Sequence, residues 1–197
     1  MTRRDIRIEL GLPDHLRAEA AALYWQAFGG KLGRVLGPQP QAIRFLNRVM
    51  RADHCLTAID GDGRLVGIAG FKSPGGSFAG GSESDLRAIY GPIGGRWRGL
   101  VLRLLGNEID NKRFLLDGLC VARSVRGQGV GTALLEAIVA EARKRGYPAV
   151  RLDVVDTNWR AKALYERRGF VLDRTAGIGP LRLIFGFNAA HTMVRTV

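Results

Sequence analysis

The stretch FLLDGLCVARSVRGQGVGTALLEAIVAEARKRGYPAVRLDVV, residues 114–155, decides the fold. Its first eight residues, Phe114 to Val121, are largely apolar and read as a strand. Residues 129 to 145 carry Leu134, Ile138 and Ala142 in helical register, and Val150 to Val155 read as a second strand. Strand, helix and strand at this spacing predict a right-handed βαβ unit, because parallel neighbours need a crossover connection. Between the first strand and the helix lies Arg126-Gly127-Gln128-Gly129-Val130-Gly131-Thr132. Exposed N–H groups at a helix N-terminus bind phosphate oxygens, and glycines let a phosphate approach the main chain. Arg126 adds a positive charge at the same mouth; the plain alternative is a tight turn without a ligand. Two other phosphate loops fail on spacing. The dinucleotide pattern Gly-x-Gly-x-x-Gly counted from Gly127 meets Thr132, and from Gly129 meets Leu134. No Lys follows Gly129 or Gly131, as a P-loop requires.

Outward from this core, Ile6, Ile8 and Leu10 alternate with Arg7 and Glu9 as a half-buried strand. A helix is expected over 14 to 28, with Asp14 as its cap, and another over about 40 to 52. Cys55 to Ile59 and Leu65 to Phe71 flank Asp60-Gly61-Asp62-Gly63 as a hairpin. Residues 72 to 82, with Pro74 and four glycines, predict a mobile loop without a folded core that closes over a substrate. Short helices are expected at 84 to 90 and 96 to 105, separated by Gly91-Pro92-Ile93-Gly94-Gly95. A helix at about 157 to 168 ends at Gly169, and strands follow near 170 to 174 and 190 to 196.

The chain has 197 residues, 46% hydrophobic and 24% charged, which suits one soluble globular domain over 1–197 and excludes disordered or collagen-like classes. No apolar run is long enough to span a membrane, and residues 1–7 lack the apolar core of a secretory signal. A cytoplasmic protein is expected, with Cys55 and Cys120 as unpaired thiols. Three histidines without zinc-type spacing predict no metal site. The net charge of +12 comes from 30 basic residues against 18 acidic ones. Of these, 25 are Arg, scattered along the chain rather than clustered, so nucleic acid is not the expected partner. A phosphorylated ligand would be drawn by the same field.

The glycine segment resembles the acetyl-CoA motif Arg/Gln-x-x-Gly-x-Gly/Ala of the GCN5-related N-acetyltransferases, matched by Arg126 to Gly131. A second signature of that family, Asn, then Ala, Leu-Tyr and Gly-Phe, is matched by Asn158, Ala161, Leu164-Tyr165 and Gly169-Phe170. The close resemblance covers about 114 to 172. It implies an α/β fold with a mixed, mostly antiparallel sheet of about seven strands flanked by helices, and a splayed parallel pair that holds the cofactor. It also implies acetyl-CoA as cofactor, direct transfer of an acetyl group to a primary amine, and a small-molecule or peptide amine acceptor. A homodimer is compatible with it. The alternative is a non-catalytic acyl-CoA-binding module.

Acyl transfer from a thioester needs a positioned amine, a base for its proton, an oxyanion donor and an acid for the thiolate. Carried over by resemblance, Leu119, Cys120 and Val121 supply main-chain contacts to the pantetheine. Arg126, Gly127, Gln128, Gly129, Val130, Gly131 and Thr132 bind the pyrophosphate, and Asn158 and Ala161 contact the cofactor. Cys120 is then no nucleophile. Tyr165 is the candidate acid, with a packed helix aromatic as the plain alternative; for Asn158 that alternative is a helix cap. Asp117 and Asp153 are the candidate bases, each one methylene shorter than the family's Glu, which favours a water relay. The ordinary readings are an Asp117–Arg113 pair and a solvated Asp153 beside Arg151. Asp117 is preferred because period-2 alternation sets it on one face with Leu119, unless a bulge intervenes.

Overall fold

The computed structural model describes residues 5–104 and 112–197. Its chain order is β1 (Arg7–Leu10), α1 (Arg17–Leu36), α2 (Gln39–Val49), β2 (Cys55–Ile59), β3 (Leu65–Ser73), β4 (Gly76–Ser77) and α3 (Glu83–Leu104). There follow β5 (Phe114–Val121), α4 (Val130–Lys144), β6 (Ala149–Val155), α5 (Trp159–Arg167), β7 (Val171–Gly177), α6 (Arg182–Phe185) and β8 (Ala189–Thr196). Seven strands run in the order β1-β2-β3-β5-β6-β8-β7, and β4 pairs β3 beside this path. Among the described residues only β5 and β6 are parallel; the other pairs are antiparallel. The βαβ unit and the hairpin therefore stand as the sequence predicts, and the mixed, mostly antiparallel sheet as the resemblance implies.

One face of the sheet is covered by α4, whose Val130, Leu134, Leu135, Ile138 and Ala142 form one buried stripe. It meets Leu116 of β5, Leu152 and Val154 of β6 and Tyr165 of α5 in a single apolar cluster. The opposite face carries α1 and α2, where Ala20, Leu23, Tyr24 and Leu46 pack with Ile68, Phe78 and Cys120. Gly169 takes the left-handed conformation after α5, with φ of 78°, as its place past a helix end requires.

Several expectations are corrected. Asp14 makes no side-chain cap; it lies in a short 3-10 turn and approaches Arg17 at 3.5 Å. α1 runs on to Leu36, because burial of Val35 and Leu36 outweighs the low helix propensity of Gly29, Gly30 and Gly33. The break in α3 is confined to Gly91, with φ of 75°, and Pro92 opens the next helical turn. The final residue of the helix expected at 96 to 105 lies outside the described residues. The segment 72 to 82 is not devoid of core: β3 continues to Ser73, β4 closes a hairpin, and Phe78 is fully buried against Gly70.

Candidate active site

β5 and β6 pair only through Phe114 with Val150, Leu115 with Arg151 and Leu116 with Leu152. Beyond these pairs the strands part. In the same place the β3–β5 register steps from Gly70 opposite Gly118 to Phe71 opposite Leu116, which leaves Asp117 as the extra residue of a β-bulge. The bulge overturns the argument that set Asp117 and Leu119 on one face. Leu119 packs on the α4 side, whereas Asp117 lies on the α1 side, bonded by Ser77 Oγ at 2.9 Å and paired with Lys72 at 3.2 Å. Arg113 is not its partner; Arg113 pairs with Asp173 at 3.1 Å.

The parted strands open a slot of about 100 Å³ lined by Asp117, Gly118 and Leu119 of β5, Asp153 of β6, Asn158, Ala161 and Tyr165 of α5, and Phe28 and Lys31 of α1. Tyr165 is buried, tilted against Phe170 at 5.9 Å. Burial, with the Cys120 thiol next in effect, pushes its hydroxyl up to about 12, so it holds its proton at neutral pH. Cys120 is buried on the α1 side and burial raises its thiol, which keeps it protonated and unsuited to attack. Asn158 caps α5, its Oδ1 accepting the Ala161 N–H at 3.4 Å, and still borders the slot. Lys31, which sequence reasoning missed, lies 5.8 Å from the Phe28 ring centre, and burial lowers its ammonium.

Near Leu119 and Leu164 of the slot, the α4 N-terminus is built on Gly129, the cap residue, with φ of 86°, and Gly127 has φ of 79°. Both are exposed, and a Cβ on either would meet open space, a cradle that a ligand can enter. The N–H groups of Val130, Gly131 and Thr132 belong to the first turn, where no intrahelical acceptor exists. Gly131 faces Leu119, Val121 and Leu164, at 3.6 to 3.7 Å from the position a Cβ would take. Arg126 is tied back, its Nε donating to the Val121 carbonyl at 3.1 Å, and Gln128 Nε2 donates to the Ser124 carbonyl at 3.3 Å.

A second and larger pocket, about 460 Å³, opens beside the slot. It shares Leu116, Asp117 and Asp153 with the slot and adds Lys72, Arg151, Arg174, Ile178, Leu181 and Thr192. Asp153 pairs with Arg151 at 3.3 Å and accepts the Thr192 hydroxyl at 2.5 Å. Of this pocket, sequence reasoning found the two aspartates and noted Arg151 as a neighbour of Asp153. It missed Lys72, Arg174 and Thr192, which only the strand order brings together. Among the described residues no group of three or more His, Cys, Asp or Glu could hold a metal, and no helix is long and apolar enough to cross a membrane.

Residues 18–170 match the family model described as the acetyltransferase (GNAT) family. The chain belongs to that family. Among curated proteins, "Probable N-acetyltransferase camello" of Xenopus laevis is 43% identical over 63 residues, which is 32% of this chain and 28% of that relative. The chain thus aligns with under a third of that relative's length. An N-acetyltransferase from Staphylococcus aureus Mu50 superposes with a TM-score of 0.69 at 16% identity, covering 96% of this chain and all of the other, which shows a shared GNAT fold. A Bacillus anthracis protein described as a streptothricin acetyltransferase, solved with acetyl coenzyme A, matches at a TM-score of 0.52 and 15% identity over 77% of this chain and 68% of its own. The bulged, parted strands β5 and β6 and the start of α5 are the parts of this fold that border the slot.

Proposed function

We propose that the protein moves an acetyl group from acetyl-CoA to a primary amine, directly, within a ternary complex. The observation that carries this reading is that slot and pocket share Asp117 and Asp153. A donor in one cavity and an acceptor in the other then meet at two carboxylates. Acetyl-CoA, when bound, supplies an activated acetyl thioester. The open cradle at Gly127 and Gly129 fits its pyrophosphate, received by the N–H groups of residues 130–132, with Arg126 and Gln128 at the rim. The main chain of Leu119, Cys120 and Val121, released from β6, pairs with the pantetheine arm and offers an N–H to the developing oxyanion, and Asn158 and Ala161 border the arm.

Tyr165 holds a proton at its hydroxyl for the departing sulfur. Asp117, oriented by Ser77 and Lys72, or Asp153, oriented by Thr192 and Arg151, takes the amine proton, through water where the shorter side chain does not reach. The bulge gives no ground for preferring Asp117 by strand face. The test is release of free CoA thiol across amine classes, with acetyl-CoA binding followed by thermal shift. Binding without turnover on any amine would replace this reading with an acyl-CoA-binding module.

A further inference from the structure

Lys31 lines the slot, and the proposed reaction gives it no role. Its place follows from the sheet. Tyr165 belongs to the apolar cluster on the α4 face, whereas Phe28 packs into the cluster on the α1 face, so the slot they share runs between β5 and β6 from one face to the other. Gly118 brings α1 close to this gap, since a Cβ there would stand 3.0 Å from the Phe28 ring. Lys31 follows Phe28 by three residues on the same side of α1, with its Nζ 5.8 Å from the ring centre. The glycine cradle lies at the start of α4, so a donor enters from the α4 face. The face left for an amine is the one that carries Lys31.

Among the described residues Lys31 has neither an ion pair nor a hydrogen bond, and its ammonium meets only the Phe28 ring. Burial lowers that ammonium, which raises the share of the uncharged, nucleophilic form. The other lysines are placed differently. Lys72 pairs with Asp117 at 3.2 Å, Lys162 lies 3.8 Å from Glu166, Lys112 has a partner, and Lys144 is exposed in the last turn of α4. None of these four lines the slot. We infer, on the reading that acetyl-CoA fills the slot, that Lys31 is a self-acetylation site, competing with a free amine for the same acetyl group. The uncharged Nζ attacks the thioester carbonyl carbon, so that a C–N bond forms and the C–S bond breaks. Nζ gives up one proton and the departing sulfur takes one, from the Tyr165 hydroxyl, which is reprotonated from Nζ through water. The products are Nε-acetyl-lysine and the CoA thiol.

The experiment incubates the protein with acetyl-CoA and no added amine, and locates acetylated residues by mass spectrometry of chymotryptic peptides. Lys31 should be acetylated at least about tenfold faster than Lys144, the exposed reference on the same chain, because the thioester is held beside it. The rate per molecule should stay constant as the protein is diluted, as transfer within one chain requires. Excess CoA should slow acetylation of Lys31 and leave that of Lys144 unchanged. Lys31→Arg keeps the charge and should abolish the fast acetylation, with circular dichroism and acetyl-CoA thermal shift checking that the variant folds. Lys31 acetylated no faster than Lys144, unprotected by CoA, or at a rate proportional to protein concentration overturns the inference; turnover of a free amine by the same preparation then leaves the acetyltransferase reading intact. Fast acetylation of Lys31 without turnover of any free amine upholds the inference and overturns transfer to a free amine. Neither acetylation nor turnover, with acetyl-CoA bound, overturns both.

Discussion

Tyr165→Phe tests the proposed acid, because it deletes one oxygen and leaves the ring. The ring is buried in the cluster shared by α4, β5 and β6, so at pH 8 the variant should unfold within about 1 kcal/mol of the wild type. kcat should fall by roughly 10²-fold, about 2.7 kcal/mol of barrier, with acetyl-CoA affinity unchanged within about twofold. The raised hydroxyl adds an independent readout. Its value in the folded chain is about 12, against an ordinary 10.0. A raised value means stability present below pH 10 and lost as the pH climbs through 12, since the unfolded chain ionises first. A gap of about two pH units corresponds to about 2.7 kcal/mol, a loss that the Phe variant cannot suffer. Denaturant unfolding of both proteins from pH 8 to pH 12 reads the difference directly, since every other group titrates alike in both. The variant should gain on the wild type by up to about 3 kcal/mol over that range. Wild-type turnover should also show no decline near pH 10 from loss of this proton. Wild-type kcat in Tyr165→Phe would refute the acid role, and a constant stability difference across pH would refute the burial argument.

Gly131→Val should leave the unliganded fold near wild-type stability, because a Cβ there meets only ordinary contacts, while its methyls project among Leu119, Val121 and Leu164. Acetyl-CoA at 100 times its dissociation constant should stabilise the wild type by about 2.7 kcal/mol and the variant by under about 1, and an equal shift in both would reject the slot. Gly129 suits this test less well, since its φ of 86° strains any side chain. Loss of the base, in Asp117→Asn or Asp153→Asn, should reduce kcat/KM most at low pH, where the amine is protonated. If neither variant is slower, bulk water takes the proton. Phe78→Ala should cost about 3–5 kcal/mol in denaturant unfolding, and a loss under about 1 would restore a coreless 72–82 loop.

The strand–turn–helix unit was legible because its residues are consecutive: strand, glycine turn and helix follow one another, and apolar period and φ-demanding glycines survive in a single sequence. The cap that stood as the plain alternative for Asn158 is present for the same local reason, while Asp14 failed because Pro13 and a 3-10 turn take over the start of α1. The bulge at Asp117 leaves no mark on the alternation of β5, since the extra residue is visible only against β3. α1 was expected eight residues short because three glycines hide a stretch held by tertiary burial of Val35 against Phe185 and Phe187. The wall of the larger pocket was illegible for a topological reason. Asp153, Thr192 and Arg174 meet because β8 inserts between β6 and β7, and Lys72 joins them because β5 lies between β3 and β6.

The partial ladder between β5 and β6 makes the sheet two blocks hinged on three residue pairs, with β1, β2, β3 and β5 on one side and β6, β8 and β7 on the other. Amides along this seam have the shortest route to local opening, so they should exchange with solvent well before those inside either block. A molecule lying in the gap acts as a rivet, and full cooperativity of the sheet becomes a property of the loaded protein. Sequence changes that zip the two strands further would make a tougher chain with no room for the proposed donor. Robustness and activity therefore compete along a single line of backbone, and the open ladder is the compromise.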